Sequence, residues 1–163
     1  VGFGTGLNAL LTALESEKSK QHICYTTLEK YPVIQEELRQ LNYTKDLSAS
    51  TSILFDKLHK CTWETMEVVS ALFHLKKIRK DLKEFSAYEE FDLIYFDAFA
   101  PSAQADLWSI PVFESMYSAL KSGGMLVTYC VKGDVRRNMQ AAGFTVEKIP
   151  GPPGKREMAR AFK

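Results

Sequence analysis

Val1-Gly2-Phe3-Gly4-Thr5-Gly6-Leu7-Asn8 opens the chain, and its reading decides the fold. Three glycines at alternate positions permit tight turning and let a ligand come close to the backbone. Leu7, Leu10, Leu11 and Leu14 then recur at helical spacing, which predicts a helix over residues 7 to about 18. A helix that starts there points its first amides into the space beside the glycines, a setting suited to a carboxylate or another anion. The third glycine comes one residue too early for G-x-G-x-x-G, and no Lys-Ser/Thr follows as in a phosphate-cradling loop. The alternative reading is a purely structural turn. Residues 1–6 read as the end of a strand followed by this loop, so the body of that strand is expected to precede Val1.

Outward from the loop, residues 23–28 are a short strand. Pro32 sits where a helix can begin, and residues 33–41 continue it. Residues 45–70 offer a short helical face through Leu54, Leu58 and Trp63, and residues 73–82 read as the third strand. Phe91-Asp92-Leu93-Ile94-Tyr95-Phe96 is the clearest strand, nearly continuous in apolar residues, as expected for a parallel strand covered on both faces. A loop over 101–109 precedes a helix over 111–120, opened by Pro111 and closed by Gly123 and Gly124. A strand over 125–131 follows. Asp134 caps a helix that runs to Ala142, and Gly143 ends it. Residues 144–149 are a strand, 150–154 a rigid Pro/Gly loop, and 156–162 the last strand. The alternation argues for a mostly parallel sheet with helices on both faces and right-handed connections. The last two strands, joined without a helix, are expected to form an antiparallel pair.

The bulk composition narrows the class. The 163 residues are 45% hydrophobic and 25% charged, enough for the core of one domain over 1–163 and against global disorder. No apolar run approaches the length of a membrane span, and no leader is evident. The net charge is +1, yet residues 132–163 carry +5, which leaves −4 for the remainder. That basic end either meets an anionic polymer or is a solvated face. Three widely spaced cysteines, Cys24, Cys61 and Cys130, argue against a disulfide framework and for a reducing, cytoplasmic location. His59, Cys61 and His74 lack a familiar zinc spacing, and no metal is expected.

Three acids carry the chemistry. Glu29 lies just past the second strand, where an acid in a Rossmann-like sheet can accept hydrogen bonds from a ribose diol. Asp81, near the end of the third strand, is suitably placed to meet an adenine edge. Either is equally an ordinary surface carboxylate. Asp97 is the strongest catalytic candidate: it follows the clearest strand and opens Asp97-Ala98-Phe99-Ala100-Pro101, at the carboxyl end that faces the active crevice in such sheets. Phe99 and Trp108 can wall a pocket for a planar substrate, with core packing as the other reading.

The segments VGFGTGLN (1–8), LEKYP (28–32), CTWE (61–64), FDLIYFDAFAP (91–101), LVTYCVKGDVRR (126–137) and above all GFTVEKIPGPPGKREM (143–158) resemble the family that methylates wobble uridine in transfer RNA. That family makes 5-methylaminomethyl-2-thiouridine from the 5-aminomethyl precursor. The resemblance spans nearly the whole chain. It implies a doubly wound, Rossmann-like class I S-adenosylmethionine-dependent methyltransferase sheet, mostly parallel with a C-terminal antiparallel hairpin. It also implies that S-adenosylmethionine is held by the loop residues Gly2, Phe3, Gly4, Thr5, Gly6 and Asn8 together with Glu29 and Asp81. Asp97 would orient the substrate amine and take its proton. Phe99, Trp108, Lys132, Arg136, Lys155 and Arg156 would be on the tRNA side. Some relatives are fused to a flavin-dependent oxidase that prepares the amine. With no second nucleotide motif in this sequence, a stand-alone methyltransferase served by a separate enzyme is expected. The family's N-terminal strand region is absent from residues 1–163.

The implied reaction is direct methyl transfer to a neutral amine. An alkylammonium is mostly protonated near neutrality and cannot attack, so a carboxylate that accepts its proton assists. Asp97 is alternatively a binding residue for the cation. Rival readings are a small-molecule amine methyltransferase, an aminopropyltransferase, and a non-catalytic RNA-binding module on the same fold. The glycine spacing disfavours a dinucleotide-dependent oxidoreductase.

Overall fold

A computed structural model of the chain describes residues 1–38, 40–41 and 49–163. The chain divides into two compact units, Gly2–Asp81 and Leu82–Lys163, the latter with Val1.

In the first unit the glycine loop leads into α1 (Leu7–Ser19). Its spacing is helical as expected, but the buried face is Ala9, Leu10, Ala13 and Ser16, while Leu7, Leu11 and Leu14 are exposed. The small side chains allow close packing, and that selects the face. Strand β1 (Ile23–Leu28) coincides with its predicted span and pairs in parallel with β3 (Phe73–Ile78), from Ile23 against Phe73 to Leu28 against Ile78. The predicted helix over 33–41 is a single turn, α2 (Gln35–Leu38). Of the segment 45–70, residues 45–48 lie outside the described residues. The rest forms α3 (Ala49–Lys60) and β2 (Met66–Val68), the latter antiparallel to β3 and not anticipated. Trp63 is off the helix and bridges Lys77 instead. The third strand stops at Ile78, and Leu82 begins a 3-10 turn, Leu82–Glu84. Phe3, Leu10, Phe55, Leu58, Phe73 and Leu75 form the core of this unit.

In the second unit the strand order is β4 (Phe91–Phe96), β5 (Leu120–Thr128), β7 (Glu157–Phe162), β6 (Thr145–Pro150). β4 and β5 are parallel, whereas β7 is antiparallel to both β5 and β6, so the expected terminal hairpin is present. α4 (Ile110–Ala119) and α5 (Gly133–Ala141) complete it. Gly123 and Gly124 do not close α4; they lie within β5 at an irregularity where Leu120 faces Phe91 and Met125 faces Leu93. A Cβ on Gly124 would stand 2.9 Å from the Lys121 carbonyl oxygen, so the tight bend needs glycine. β4 is less covered than its composition suggests. Ile94 and Phe96 are buried but Leu93 is 43% exposed, since among the described strands β4 has β5 as its one neighbour. The Val1 amine donates to the Tyr95 carbonyl at 2.5 Å. Lys132, not Asp134, is the N-cap of α5; Asp134 sits in the first turn and accepts from the Val135 amide at 2.9 Å. Phe96, Trp108, Phe113, Met116 and Leu126 fill the core.

Candidate active site

The first unit supplies a loop and two acids. The Gly2 amide donates to the Leu28 carbonyl at 3.0 Å, fixing the loop to the end of β1, and the Gly6 amide donates to the Phe3 carbonyl at 2.9 Å, closing a turn. Gly4 has φ +51°, and nothing lies within 4 Å of where its Cβ would be. That side of the loop is open, and a ligand can rest there against bare backbone. Gly6, with φ +80°, is the opposite case: an added Cβ would be 2.9 Å from His59 Nε2. Phe3 is buried, its ring 5.2 Å from that of His59 and 6.3 Å from that of Trp63. Its side chain therefore anchors the loop in the core, and only its backbone is available to a ligand. The Thr5 carbonyl accepts from His59, and the Asn8 carbonyl accepts from the Thr12 hydroxyl at 2.7 Å.

Glu29, immediately after β1, accepts from the Gly4 amide at 3.0 Å through Oε2 and from the Tyr31 amide at 2.9 Å through Oε1. A carboxylate has about four lone-pair positions, so capacity remains for hydroxyl donors. Asp81 accepts from Lys30 Nζ at 2.8 Å, and that bond is the largest cause of a lysine pKa pushed up to about 12. The structure thus gathers Gly4, Glu29, Lys30 and Asp81 into one connected polar rim. Lys30 was not anticipated in it.

The second unit presents Asp97 and Phe99 on one loop. Both are exposed, Phe99 at 74%. The loop beneath them is held at two consecutive carbonyls. The Tyr129 hydroxyl donates to the Ala98 carbonyl at 2.9 Å, and Trp108 Nε1 donates to the Phe99 carbonyl at 2.8 Å. Trp108 is only 2% exposed and packs edge-on against Phe96 and Tyr129. Of the two roles the sequence left open, pocket wall and core packing, this burial fits the second, and the indole N–H braces the loop. Asn138 Nδ2 donates to the Trp108 carbonyl at 2.9 Å. Burial pushes the Tyr129 phenol up, with smaller contributions from Cys130 and Asp97.

Lys155 reaches the same place, with Nζ 4.3 Å from the centre of the Tyr129 ring. The loop that carries it is closed by the Gly151 amide donating to the Arg156 carbonyl at 3.1 Å and the Lys155 amide donating to the Pro152 carbonyl at 2.9 Å. A Cβ on Gly151 would be 2.3 Å from the Lys155 carbonyl oxygen, so the turn excludes any side chain there. The last strand begins at Glu157, leaving exposed Arg156 on the loop rather than in the sheet. Glu157 pairs with Lys148 at 3.0 Å; this bond, then the weaker pull of Arg156 and Arg136, holds its carboxyl below the usual range. Lys132 is exposed at the start of α5.

Tyr129, Asn138, His59 and Lys77 were missed by sequence reasoning. Tyr129 had one signal, its place just past a strand that ends beside Asp97's strand; the others had none, because their roles are made by tertiary contact. Among the described residues, no three His, Cys, Asp or Glu side chains are grouped to hold a metal, and no helix is long and apolar enough to cross a membrane.

The fold is that of the class I S-adenosylmethionine-dependent methyltransferases. The Aquifex aeolicus MNMC2 structure superposes with a TM-score of 0.67 at 22% identity, covering 98% of this chain and 50% of that one. The methyltransferase SibL superposes at 0.58 and 13%, covering 99% of this chain and 48% of that one. A family model described as S-adenosyl-L-methionine-dependent methyltransferase matches residues 39–163, and the chain belongs to that family. S-adenosylmethionine is its cofactor. Among curated proteins it is similar to the tRNA 5-methylaminomethyl-2-thiouridine biosynthesis bifunctional proteins MnmC of Pseudoalteromonas atlantica (34% identity, 96% of this chain, 24% of that protein) and Burkholderia multivorans (33%, 96% and 26%). The chain spans about a quarter of the length of these relatives.

Proposed function

We propose that residues 1–163 act as a methyltransferase domain that converts the 5-aminomethyl group of wobble (2-thio)uridine in tRNA to 5-methylaminomethyl, the amine being made by a separate activity. The observation that carries this reading is the braced loop of the second unit. It presents an exposed carboxylate, Asp97, and an exposed ring, Phe99, on a backbone held at two successive carbonyls, with Lys155 one ring away. A carboxylate suits an amine, an aromatic face suits a base, and a cation suits a phosphate. The bifunctional relatives act, by their names, in biosynthesis of this nucleoside.

S-adenosylmethionine, when bound, supplies an already activated sulfonium methyl. Gly4's open backbone and the carboxylates of Glu29 and Asp81 would hold it, Glu29 as acceptor for the ribose hydroxyls. Asp97 accepts a hydrogen bond from the substrate ammonium and takes its proton, which frees the nitrogen lone pair for attack. Phe99 stacks on the uracil. Tyr129 and Trp108 keep Asp97 and Phe99 in place, so that little ordering remains to be done in the transition state. Lys155 and Arg156 meet phosphates, with Lys132 and Arg136 flanking them. Labelled S-adenosylmethionine offered with tRNA from cells unable to complete this modification, and separately with free alkylamines, tests the proposal. Transfer to tRNA and not to amines is expected; turnover on a small amine with none on tRNA overturns it.

A further inference from the structure

The last turn of α3 carries a side chain to which the chemistry above gives no task. His59 Nε2 lies 3.2 Å from the Thr5 carbonyl oxygen. That oxygen has no proton, so Nε2 carries the hydrogen and is the donor. The same ring packs edge-on against Phe3 at 5.2 Å and Phe55 at 4.5 Å, and it is the atom group that a Cβ on Gly6 would strike. One imidazole thus touches Phe3, Thr5 and Gly6, three residues of a five-residue loop. Its position is fixed from behind by Lys77, a lysine only 1% exposed. Lys77 Nζ donates to the His59 carbonyl at 2.9 Å and to the Leu58 carbonyl at 3.1 Å, and lies 5.3 Å from the Phe3 ring and 5.0 Å from the Trp63 ring. An ammonium withdrawn from water is costly unless its surroundings replace the lost hydration. Here two carbonyls and two ring faces replace it, and all four belong to the support of the loop. Burial pushes both the imidazole and the amine down.

We propose that His59, held by Lys77, is a positioning residue that sets the Gly2–Gly6 loop in the shape that receives S-adenosylmethionine. This rests on the reading of that loop as the cofactor site. Without the Nε2–H donor the Thr5 carbonyl loses its bond to the helix behind it, and the loop is held less closely in the shape that leaves the Gly4 face open.

The test measures S-adenosylmethionine affinity by calorimetry, together with KM and kcat, for His59→Phe, His59→Asn and His59→Gln. Phe keeps the ring and loses the donor, Asn has a donor that falls short, and Gln can place its amide nitrogen where Nε2 stood. The expected result is affinity weakened about tenfold in the Phe and Asn variants, the effect of one hydrogen bond. A matching rise in KM, an unchanged kcat, and recovery to within about twofold of the parent in the Gln variant should accompany it. Equal weakening in Gln and Asn, or a fall in kcat with KM unchanged, overturns the proposal. Gly4→Val separates the two levels: parental affinity in that variant removes the loop from the cofactor site altogether. Lost affinity there with parental affinity in His59→Phe overturns only the role of His59.

Discussion

Replacing Tyr129 with Phe removes one hydroxyl and one hydrogen bond, the 2.9 Å contact to the Ala98 carbonyl. The ring remains, and with it the edge contact to Trp108 at 5.9 Å and a face for Lys155. A net hydrogen bond of this kind contributes about 0.5–1.5 kcal/mol. In a chain of this size, about 1 kcal/mol corresponds to a fall in Tm of about 2–4 °C. If the bond's role is to hold the Asp97 loop, the same energy appears in the barrier. About 1 kcal/mol is roughly a fivefold loss in the single-turnover rate of methyl transfer at saturating substrates. S-adenosylmethionine affinity should be unchanged, because the bond belongs to the second unit and the glycine loop to the first. The pH dependence is also fixed in sign. The phenol is raised above its ordinary value of 10.0, chiefly by burial, so the folded state keeps the proton longer than the unfolded one. Its stabilisation is present below pH 10 and is lost as pH climbs from there through the raised value; the Phe variant lacks this alkaline loss. Parental rate and parental Tm together in the Phe variant would refute the idea that Tyr129 braces the loop.

Glu29→Ala removes the acceptor for two amides as well as the ribose partner, and should weaken S-adenosylmethionine binding about tenfold or more, with tRNA affinity unchanged, both read by calorimetry. Asp97→Asn keeps size and loses the proton acceptor, so single-turnover transfer should fall by about a hundredfold or more while the circular dichroism spectrum and melting curve stay parental. Replacing Lys155 and Arg156 together with Ala should lower tRNA affinity and make its dependence on log salt shallower by about 1.5, since two phosphate contacts no longer release counterions.

Where local pattern and tertiary setting agreed, the sequence was legible. Ile23–Leu28, rich in residues that favour extension, and the nearly continuous apolar Phe91–Phe96 are strands over their predicted spans, and the Pro/Gly segment turns the chain from Gly151, where no side chain fits, although Pro150 itself ends β6. Phe3 looked like a loop residue, but the core drew its ring inward, against His59 and Trp63. Trp108 could be read as a pocket wall or as core packing; its indole is enclosed and its N–H supports the Phe99 backbone. Gly123 and Gly124 have the composition of a helix stop, yet the strand needs them to bend. α1 showed its period but not its face, because Ala9, Ala13 and Ser16 join Leu10 on the buried side while Leu7, Leu11 and Leu14 are exposed. Buried polar supports such as Lys77 leave no periodic trace. Their partners are backbone carbonyls distant in sequence, and only folding brings them together.

The most direct test of the central claim is nucleoside analysis of tRNA that carries 5-aminomethyl-2-thiouridine at the wobble position, after incubation with the protein and methyl-labelled S-adenosylmethionine. Label is expected in 5-methylaminomethyl-2-thiouridine and in no other nucleoside, with its rate of appearance lowered by about a hundredfold or more in Asp97→Asn. Label in a different nucleoside, or none in tRNA under conditions where the protein binds S-adenosylmethionine, would contradict it.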